Sequence, residues 1–313
     1  MLMFLLRRIA SGLAMLLVIT ALAFSLLYLA SGDVASRILG PTATQDQVNQ
    51  MSEQLGLDRP LWIRYPEWLI LAIQGDLGRS WFTSELVADS IGSRVAVTLS
   101  LVIPATILIG LISAFLGVAA AIYRGWIDKV VQFVGVVGFA IPSFLIALGL
   151  VILFAVQLQW LPATGFVPLS ESVTGWLAAT LLPVTALVIH GVAGTAQQVR
   201  GAVIDTLQQD YVRTLRSRGL RSRTIIYGHV LRNAGGPGLA VLALQFVGLL
   251  GGAVIVEQLF ALPGLGQLAV SATTRGDLPQ VMGVVIVIVI IVLLVNLLID
   301  IAQGWLNPKV RIS

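Results

Sequence analysis

Long uncharged apolar stretches alternate with polar segments along this chain of 313 residues. Six of these stretches lack Asp, Glu, Lys and Arg and are long enough to span a membrane, because a helix needs about 20 apolar residues to cross roughly 30 Å of hydrocarbon. They are residues 9–32, 95–123, 130–170, 172–199, 234–256 and 278–299. The third stretch becomes polar after residue 156 and is counted as one span. The pattern therefore predicts an all-α polytopic membrane protein with six transmembrane helices.

The distribution of basic residues predicts that both termini are cytoplasmic. With the N-terminus inside, thirteen of the nineteen lysines and arginines fall on the cytoplasmic side, where membrane proteins concentrate these residues. Five of the other six lie in one long outer segment, where this rule is weakest. The first apolar stretch is longer than that of a signal peptide, so we expect it to be retained as a span.

This orientation divides the chain into four parts. Residues 1–32 hold the first helix, 33–94 form an extracytoplasmic segment, 95–303 hold the five-helix core, and 304–313 form a cytoplasmic tail. The extracytoplasmic segment is too long for a simple connector, and it is predicted to be either a folded cap or a docking surface. Within it, residues 45–57 carry apolar side chains at helical spacing, which predicts a surface helix.

Composition narrows the function classes. With 57% hydrophobic and 11% charged residues and a mean hydropathy of +0.95, the chain is not an ordinary soluble protein. The absence of cysteine excludes disulfides, thiolate metal sites and a cysteine nucleophile. Neither lysine, Lys129 or Lys309, follows a glycine, so the chain cannot form a phosphate-binding P-loop. If the protein uses ATP, a different subunit must hydrolyse it.

Residues 200–233 form the predicted cytoplasmic loop with the most informative pattern. Apolar residues recur there in steps of three and four, which predicts a short amphipathic helix: Ile204, Leu207, Tyr211 and Leu215. Gly219 interrupts this pattern, and Ser222 is predicted to cap a further helical turn. Such a helix can rest on lipid, fold back onto the bundle or enter a groove on a partner, and periodicity does not decide among these. Its arginines follow the cytoplasmic bias, so we do not expect nucleic acid as a partner.

Residues 257–277 form the last outer loop, which is too apolar to be freely solvated. It contains Pro263, Gly264 and Gly266 among leucines, a composition that suits a re-entrant turn at the mouth of a cavity. A simple interfacial loop is the alternative.

Five blocks of sequence resemble the permease subunit of an ABC importer of the dipeptide, oligopeptide and nickel type. The most specific match is residues 210–220 with residues 229–234, which resemble the cytoplasmic coupling loop of that family. The other blocks are Arg7-Arg8, residues 55–60 with 75–80, residues 141–144, and Val256-Glu257 with residues 262–266. The match departs from the family pattern at Leu215, where an alanine is usual, and at residues 235–237.

The resemblance implies a division of labour among subunits. Two homologous permeases, expected to be different gene products, form the path; cytoplasmic ATPases bind ATP and Mg²⁺; and an extracytoplasmic binding protein delivers substrate. The chain itself is expected to hold no cofactor, metal or catalytic residue and to lie in the prokaryotic cell membrane. The residues implied for ATPase coupling are Asp210, Tyr211, Arg213, Thr214, Leu215, Arg216, Arg218 and Gly219. Those implied for an outer gate or docking of the binding protein are Glu257, Pro263, Gly264 and Gly266.

Two other classes compete with this interpretation. An intramembrane hydrolase could use Ser143 and His190, but the chain has no His-Glu-x-x-His sequence and no specific serine motif. A secondary transporter should show membrane-buried carboxylates or repeat symmetry, and the sequence shows neither. Peptides are the expected substrates, and nickel complexes or other small solutes are the alternative.

Overall fold

The computed structural model describes residues 2–30 and 34–306, and the secondary structure of these residues is helical apart from one isolated β-bridge between Arg79 and Leu86. Five helices are long and apolar enough to cross a membrane, and a bent helix pair makes a sixth crossing if it is counted as one span. The predicted all-α polytopic fold is therefore confirmed. Two compact units divide the described chain, residues 98–262 with 294–306 and residues 2–30, 34–97 and 263–293, here called the first and second unit.

The helices follow one another in this order: α1 (Leu2–Ala30), α2 (Val34–Leu39), α3 (Gln45–Gln54), α4 (Leu61–Ile73), α5 (Val87–Tyr123), α6 (Gly125–Ala140), α7 (Ser143–Leu150), α8 (Val173–Leu207), α9 (Asp210–Ser217), α10 (Ser222–Ile225), α11 (Leu231–Leu259), α12 (Leu265–Arg275) and α13 (Leu278–Leu306). Two π-helical stretches, Val151–Gln157 and Ile226–Val230, follow α7 and α10. The boundary between the units cuts α5 and α13.

In the first unit, α8 is the central helix and packs against α6, α7 and α11. Close packing is visible at Gly135 and Gly191, where an added Cβ would lie 2.4 Å from Gln197 Nε2 and 2.3 Å from Ile109 Cδ1. The absence of side chains at these positions lets neighbouring helices approach closely.

The third predicted span is not one straight helix. Helices α6 and α7 meet at an angle of 92° at Ile141-Pro142. Ile141 is extended, with φ −86° and ψ 120°, because the residue before a proline is disfavoured in the α region. Pro142, which the sequence analysis placed inside a span, lies at this bend and is the N-cap residue of α7.

In the second unit, the predicted surface helix is confirmed as α3, which is three residues shorter than expected. Thr44 and Gln47 form a reciprocal capping box at its start. Nearby in sequence, α4 contributes to an aromatic cluster in which Phe24, Tyr65 and Trp68 rings pack together. The guanidinium of Arg64 lies 5.5–6.0 Å from three ring centroids, and burial lowers the pKa of Arg64 below its usual range.

Candidate functional site

Helix α9 forms where the sequence analysis placed the coupling residues. Gln209 is extended and precedes the first helical residue, Asp210, whose negative charge suits the helix N-terminus, while Arg216 lies in the last turn, where a cation is favoured. Gly219 has φ +76°, a left-handed conformation that glycine adopts without strain. It turns the chain after the helix as expected.

The apolar face of α9 packs onto the first unit. Val212 is fully buried, and Tyr211 and Leu215 are half-buried against the same cluster. The Tyr211 hydroxyl accepts a hydrogen bond of 2.9 Å from Asn233 Nδ2. The helix thus folds back onto its own bundle, one of the three arrangements that periodicity left open. The other buried members of this anchoring cluster come from α5, α8, α10, the second π-helical stretch and α11: Ala121, Val203, Ile225, Val230 and Ala234.

This packing changes the role expected of two residues and adds a third. Tyr211 and Leu215 were implied as contacts for an ATPase, but most of their surface is buried within the chain. Val212 makes the most buried contact of the helix, and the sequence analysis missed it. The signal was present, because Val212 is apolar and lies between two positions of the predicted stripe.

The opposite face of α9 is exposed. Asp210, Thr214 and Ser217, spaced by four and three residues, share this face. Arg218 is exposed just beyond the helix, and Arg213 and Arg216 are exposed along one flank. Arg213 lies 3.6 Å from Asp210, with side chains 75% and 96% exposed, so this pair contributes little to stability. A polar surface that the fold does not need is therefore available to a partner.

The boundaries of the predicted loop need correction. Residues 200–207 belong to α8, so the stretch 200–233 begins as two further turns of a long helix. Ile204 and Leu207 lie on α8, and the break at Gln208-Gln209 separates them from Tyr211 and Leu215 on α9. Ser222 is the first residue of α10, and its N-cap is Arg221.

An ion pair missed by the sequence analysis joins α6 to α8. Arg200 donates from Nε to Asp128 Oδ1 and from Nη2 to Asp128 Oδ2, the latter over 2.8 Å. Gln132 Nε2 also donates to Asp128, at 2.9 Å. The two charged side chains are 25% and 16% exposed, and bidentate geometry gives such a pair both strength and orientation. Sequence reasoning assigned Arg200 only to membrane topology.

Glu257, one of the four residues implied for an outer gate or docking, lies on α11 in the first unit and is fully buried. Its Oε1 accepts a hydrogen bond of 2.6 Å from Thr98 Oγ1. In the second unit, Gly264 and Gly266 are buried at the start of α12, and Pro263 is exposed. Three of the four residues, Glu257, Gly264 and Gly266, are therefore buried, and Pro263 is the exposed member of the set. Their role in a gate stays a prediction.

The second unit contains a buried hydrogen-bond network around Asp277, between α12 and α13. Ser80 Oγ donates to Asp277 Oδ2 at 2.5 Å, and the Trp81 backbone N–H donates to Oδ1 at 3.2 Å. The backbone N–H groups of Phe82 and Thr83 donate in turn to Ser80 Oγ. The network fixes residues 80–83 to the turn before α13. Sequence reasoning did not find it, because the partners are far apart in the chain.

The hydrolase alternative gains no support from geometry. His190 stacks on Phe139, with ring centroids 6.1 Å apart, and its buried Nδ1 has no hydrogen-bond partner among the described residues. Ser143 is the first residue of α7, and its hydroxyl makes no hydrogen bond to His190 within the described part of the chain.

Comparison with known proteins establishes the family. The pattern described as "Binding-protein-dependent transport system inner membrane component" matches residues 106–312, and the corresponding N-terminal pattern matches residues 1–102. The chain therefore belongs to this family of multi-pass inner-membrane permeases, and the predicted resemblance to an ABC importer permease is confirmed.

Relatives match over nearly the whole chain. A peptide transport system permease protein of Brucella abortus (strain 2308) is 37% identical over 310 residues, covering 98% of each chain. A peptide ABC transporter permease protein of Sinorhizobium fredii is 34% identical, covering 98% of this chain and 99% of the relative. A glutathione transport system permease protein of Salmonella choleraesuis is 33% identical over 312 residues, covering 99% of each.

Proposed function

We propose that this chain forms half of the translocation path of a peptide importer and that the exposed face of α9 transmits the work of a separate ATPase. The observation that carries the proposal is the division of α9 into an anchored apolar face and a free polar face. Full-length similarity to peptide permeases supports the substrate class.

The anchored face makes α9 suitable for transmitting force. Val212 is enclosed by residues from several helices, and full burial of a valine side chain contributes about 1.5–3 kcal/mol. A push on the outer face of α9 therefore moves the adjoining ends of α5, α8 and α11 together, because a close-packed interior transmits strain. The ion pair of Arg200 with Asp128 extends this connection to α6 and to the bend at Pro142.

The residues assigned to ATPase contact are those on the free face, Asp210, Thr214 and Ser217, with Arg218 beyond it. Arg213 and Arg216, which the resemblance also implies for this contact, are exposed along one flank of α9. Gly219 sets the direction of the chain as it leaves α9. Closure of the ATPases on ATP would then shift the bundle between inward- and outward-open populations. ATP and Mg²⁺ would bind only in that partner, because this chain has no P-loop.

The assembly we propose contains a second homologous permease, encoded by a different gene, two ATPases and an extracytoplasmic binding protein. This chain would be a non-catalytic component of it. Glu257, Pro263, Gly264 and Gly266 are assigned to the outer gate, with Glu257 positioned by its hydrogen bond from Thr98.

The experiment measures ATP-dependent uptake in proteoliposomes that contain the complete complex and its binding protein. Ser217→Trp places a large ring on the free face of α9, whereas Thr224→Trp places the same ring on the exposed surface of α10. We expect Ser217→Trp to reduce uptake of a labelled tripeptide at least tenfold and Thr224→Trp to leave it near wild type.

Two results would overturn parts of the proposal. Equal uptake by both variants would remove α9 from the coupling role. If the wild-type complex took up labelled nickel but not a tripeptide, the importer assignment would stand and the proposed substrate would change from peptides to nickel.

A further inference from the structure

A groove of about 540 Å³ lies beside α9 in the first unit. Three arginines from two separate segments converge on it, Arg124 from the turn before α6 and Arg213 with Arg216 from one flank of α9. Gln208 and Ser222 add polar groups, and the remaining wall is apolar. No Asp or Glu is among the described residues that line the groove. Its chemistry therefore suits an anion attached to an apolar group.

The positive charges of this groove are poorly compensated within the chain. Arg124 and Arg216 make no ion pair with any residue between 2 and 30 or 34 and 306. The Asp128 carboxylate interacts with Arg124 at longer range, but it is already paired with Arg200. Among the described residues, Arg213 forms an ion pair only with Asp210, over 3.6 Å, and both side chains are largely exposed. Like charges brought together raise the free energy of the chain unless an anion binds between them.

The backbone at Arg124 is held in an unusual conformation. Its φ is 48° and its ψ is −163°, a region that residues other than glycine rarely occupy and that costs about 1–3 kcal/mol. Arg124 is one of four non-glycine residues with positive φ in the described chain. A glycine at position 124 would adopt this conformation without strain, so the turn itself does not require an arginine there. The strained residue directs a guanidinium to the groove.

The groove lies at the level where several candidate membrane spans end. Helix α5 ends at Tyr123, α8 ends at Leu207, and the span 222–259 begins at Ser222. Trp126, next to the groove in sequence, is 74% exposed, and tryptophans favour the headgroup region of a bilayer. An anion with an attached apolar group is therefore available at this depth from the membrane itself.

We propose that this groove binds the phosphate headgroup of an anionic phospholipid from the adjoining leaflet. The guanidinium groups of Arg124, Arg213 and Arg216 contact the phosphate oxygens, for which their planar donor arrangement is suited, and the apolar wall contacts the glycerol and upper acyl chains. Basic pockets between helices at the cytoplasmic side of membranes bind lipid headgroups in this way. The bound lipid joins the α5–α6 turn to the flank of α9 and leaves its outer face free. The proposal goes beyond the transport function and does not depend on the substrate.

The test uses the complete complex in nanodiscs of phosphatidylcholine with a minor fraction of phosphatidylglycerol. Native mass spectrometry counts the phosphatidylglycerol molecules retained after gentle delipidation. The variant Arg124→Gln/Arg216→Gln removes two groove charges, and Arg221→Gln/Arg223→Gln removes two exposed charges that do not line the groove. Arg124→Lys/Arg216→Lys keeps the charge. Subunit composition, measured in the same spectra, shows whether each variant assembles.

We expect the groove variant to bind phosphatidylglycerol about 30-fold more weakly than wild type. This value follows because each of the two arginines contributes about 1 kcal/mol to binding an anionic lipid. The control variant should bind as wild type, and the lysine variant should bind within about fivefold of wild type. Equal losses in the two glutamine variants would overturn the proposal, because the effect would then be one of total surface charge. Displacement of the lipid by millimolar inorganic phosphate would also overturn it, since the ligand would then be a free anion. If the groove variant retained lipid as wild type does but lost the ATPase, the proposal would also be overturned, because the arginines would then bind the ATPase and not a lipid.

Discussion

Helix α9 and the Asp277 network place polar groups in opposite situations. On α9, the side chains of Asp210, Thr214 and Ser217 are exposed and take no part in the packed cluster on the other face of the helix. Around Asp277, the carboxylate and Ser80 are almost fully buried, and both carboxylate oxygens accept hydrogen bonds, one from the Ser80 hydroxyl and one from the Trp81 backbone N–H. Buried and paired polar groups fix the fold, whereas exposed and weakly paired ones are available to partners. The two regions should therefore respond differently to substitutions of similar size.

The largest effect on stability is expected at Asp277. Asp277→Asn replaces an acceptor facing the Ser80 hydroxyl with a donor, and Ser80 Oγ already accepts from two N–H groups. We expect a loss of about 3 kcal/mol, because hydrogen bonds to charged groups contribute roughly 1.5–3 kcal/mol each. Thermal unfolding in detergent measures it, with the exposed Asp58→Asn as the matched control. Similar unfolding temperatures for the two variants would contradict the view that buried polar groups stabilise the fold more than exposed ones.

The next effect is expected at the ion pair between α6 and α8. Arg200→Gln leaves a partly buried carboxylate at Asp128 and is expected to cost about 2 kcal/mol. Peptide-stimulated ATP hydrolysis should fall while the basal rate persists, because α6 loses its ion pair with α8 although the two helices remain packed together. The exchange variant Asp128→Arg/Arg200→Asp should recover part of both losses. No recovery, with normal assembly, would mean that the pair does not act as a unit.

A smaller loss is expected on the anchored face of α9. Val212→Ala removes two buried methyl groups, at a cost of about 1.5 kcal/mol, and should loosen α9 from the bundle. Coupling between ATP hydrolysis and uptake should weaken, whereas Val136→Ala, at a residue 62% exposed, should change neither stability nor coupling. Unfolding midpoints and the ratio of peptide transported to ATP hydrolysed provide the two readouts.

The smallest effect on stability is expected at Asp210. Asp210→Asn removes an exposed ion pair and one favourable charge at the helix N-terminus, together worth less than about 1 kcal/mol. The variant should unfold near the wild-type temperature and yet bind its ATPase more weakly, in a salt-dependent way. A clear drop in the unfolding temperature would show that the free face also supports the fold.

The sequence predicted those features that depend on neighbouring residues. The long uncharged runs indicated the spans, and Gly219 marked the end of α9. The apolar spacing indicated a helix here but joined Ile204 and Leu207 of α8 to it, so it missed the break at Gln208-Gln209. The bend at Ile141-Pro142 had a local signal, the proline, but an uninterrupted apolar run concealed it.

The remaining features depend on residues that are distant in the chain. Asp128 and Arg200 are 72 positions apart, and Ser80 and Asp277 are 197 apart. A single sequence carries no signal that links such positions. For the same reason, periodicity could not tell whether the apolar face of α9 would meet a partner or its own bundle, because both bury the same side chains.

The most direct test of coupling through α9 is cysteine crosslinking, for which the natural absence of cysteine provides a clean background. Ser217→Cys lies on the free face and Val212→Cys on the buried face of the same helix. In membranes that contain all the subunits, Ser217→Cys should crosslink to a P-loop ATPase in an ATP-dependent manner, and Val212→Cys should not. An accessible Ser217→Cys that captures no ATPase under any nucleotide condition, or an equal crosslink from Val212→Cys, would contradict coupling through the exposed face of α9.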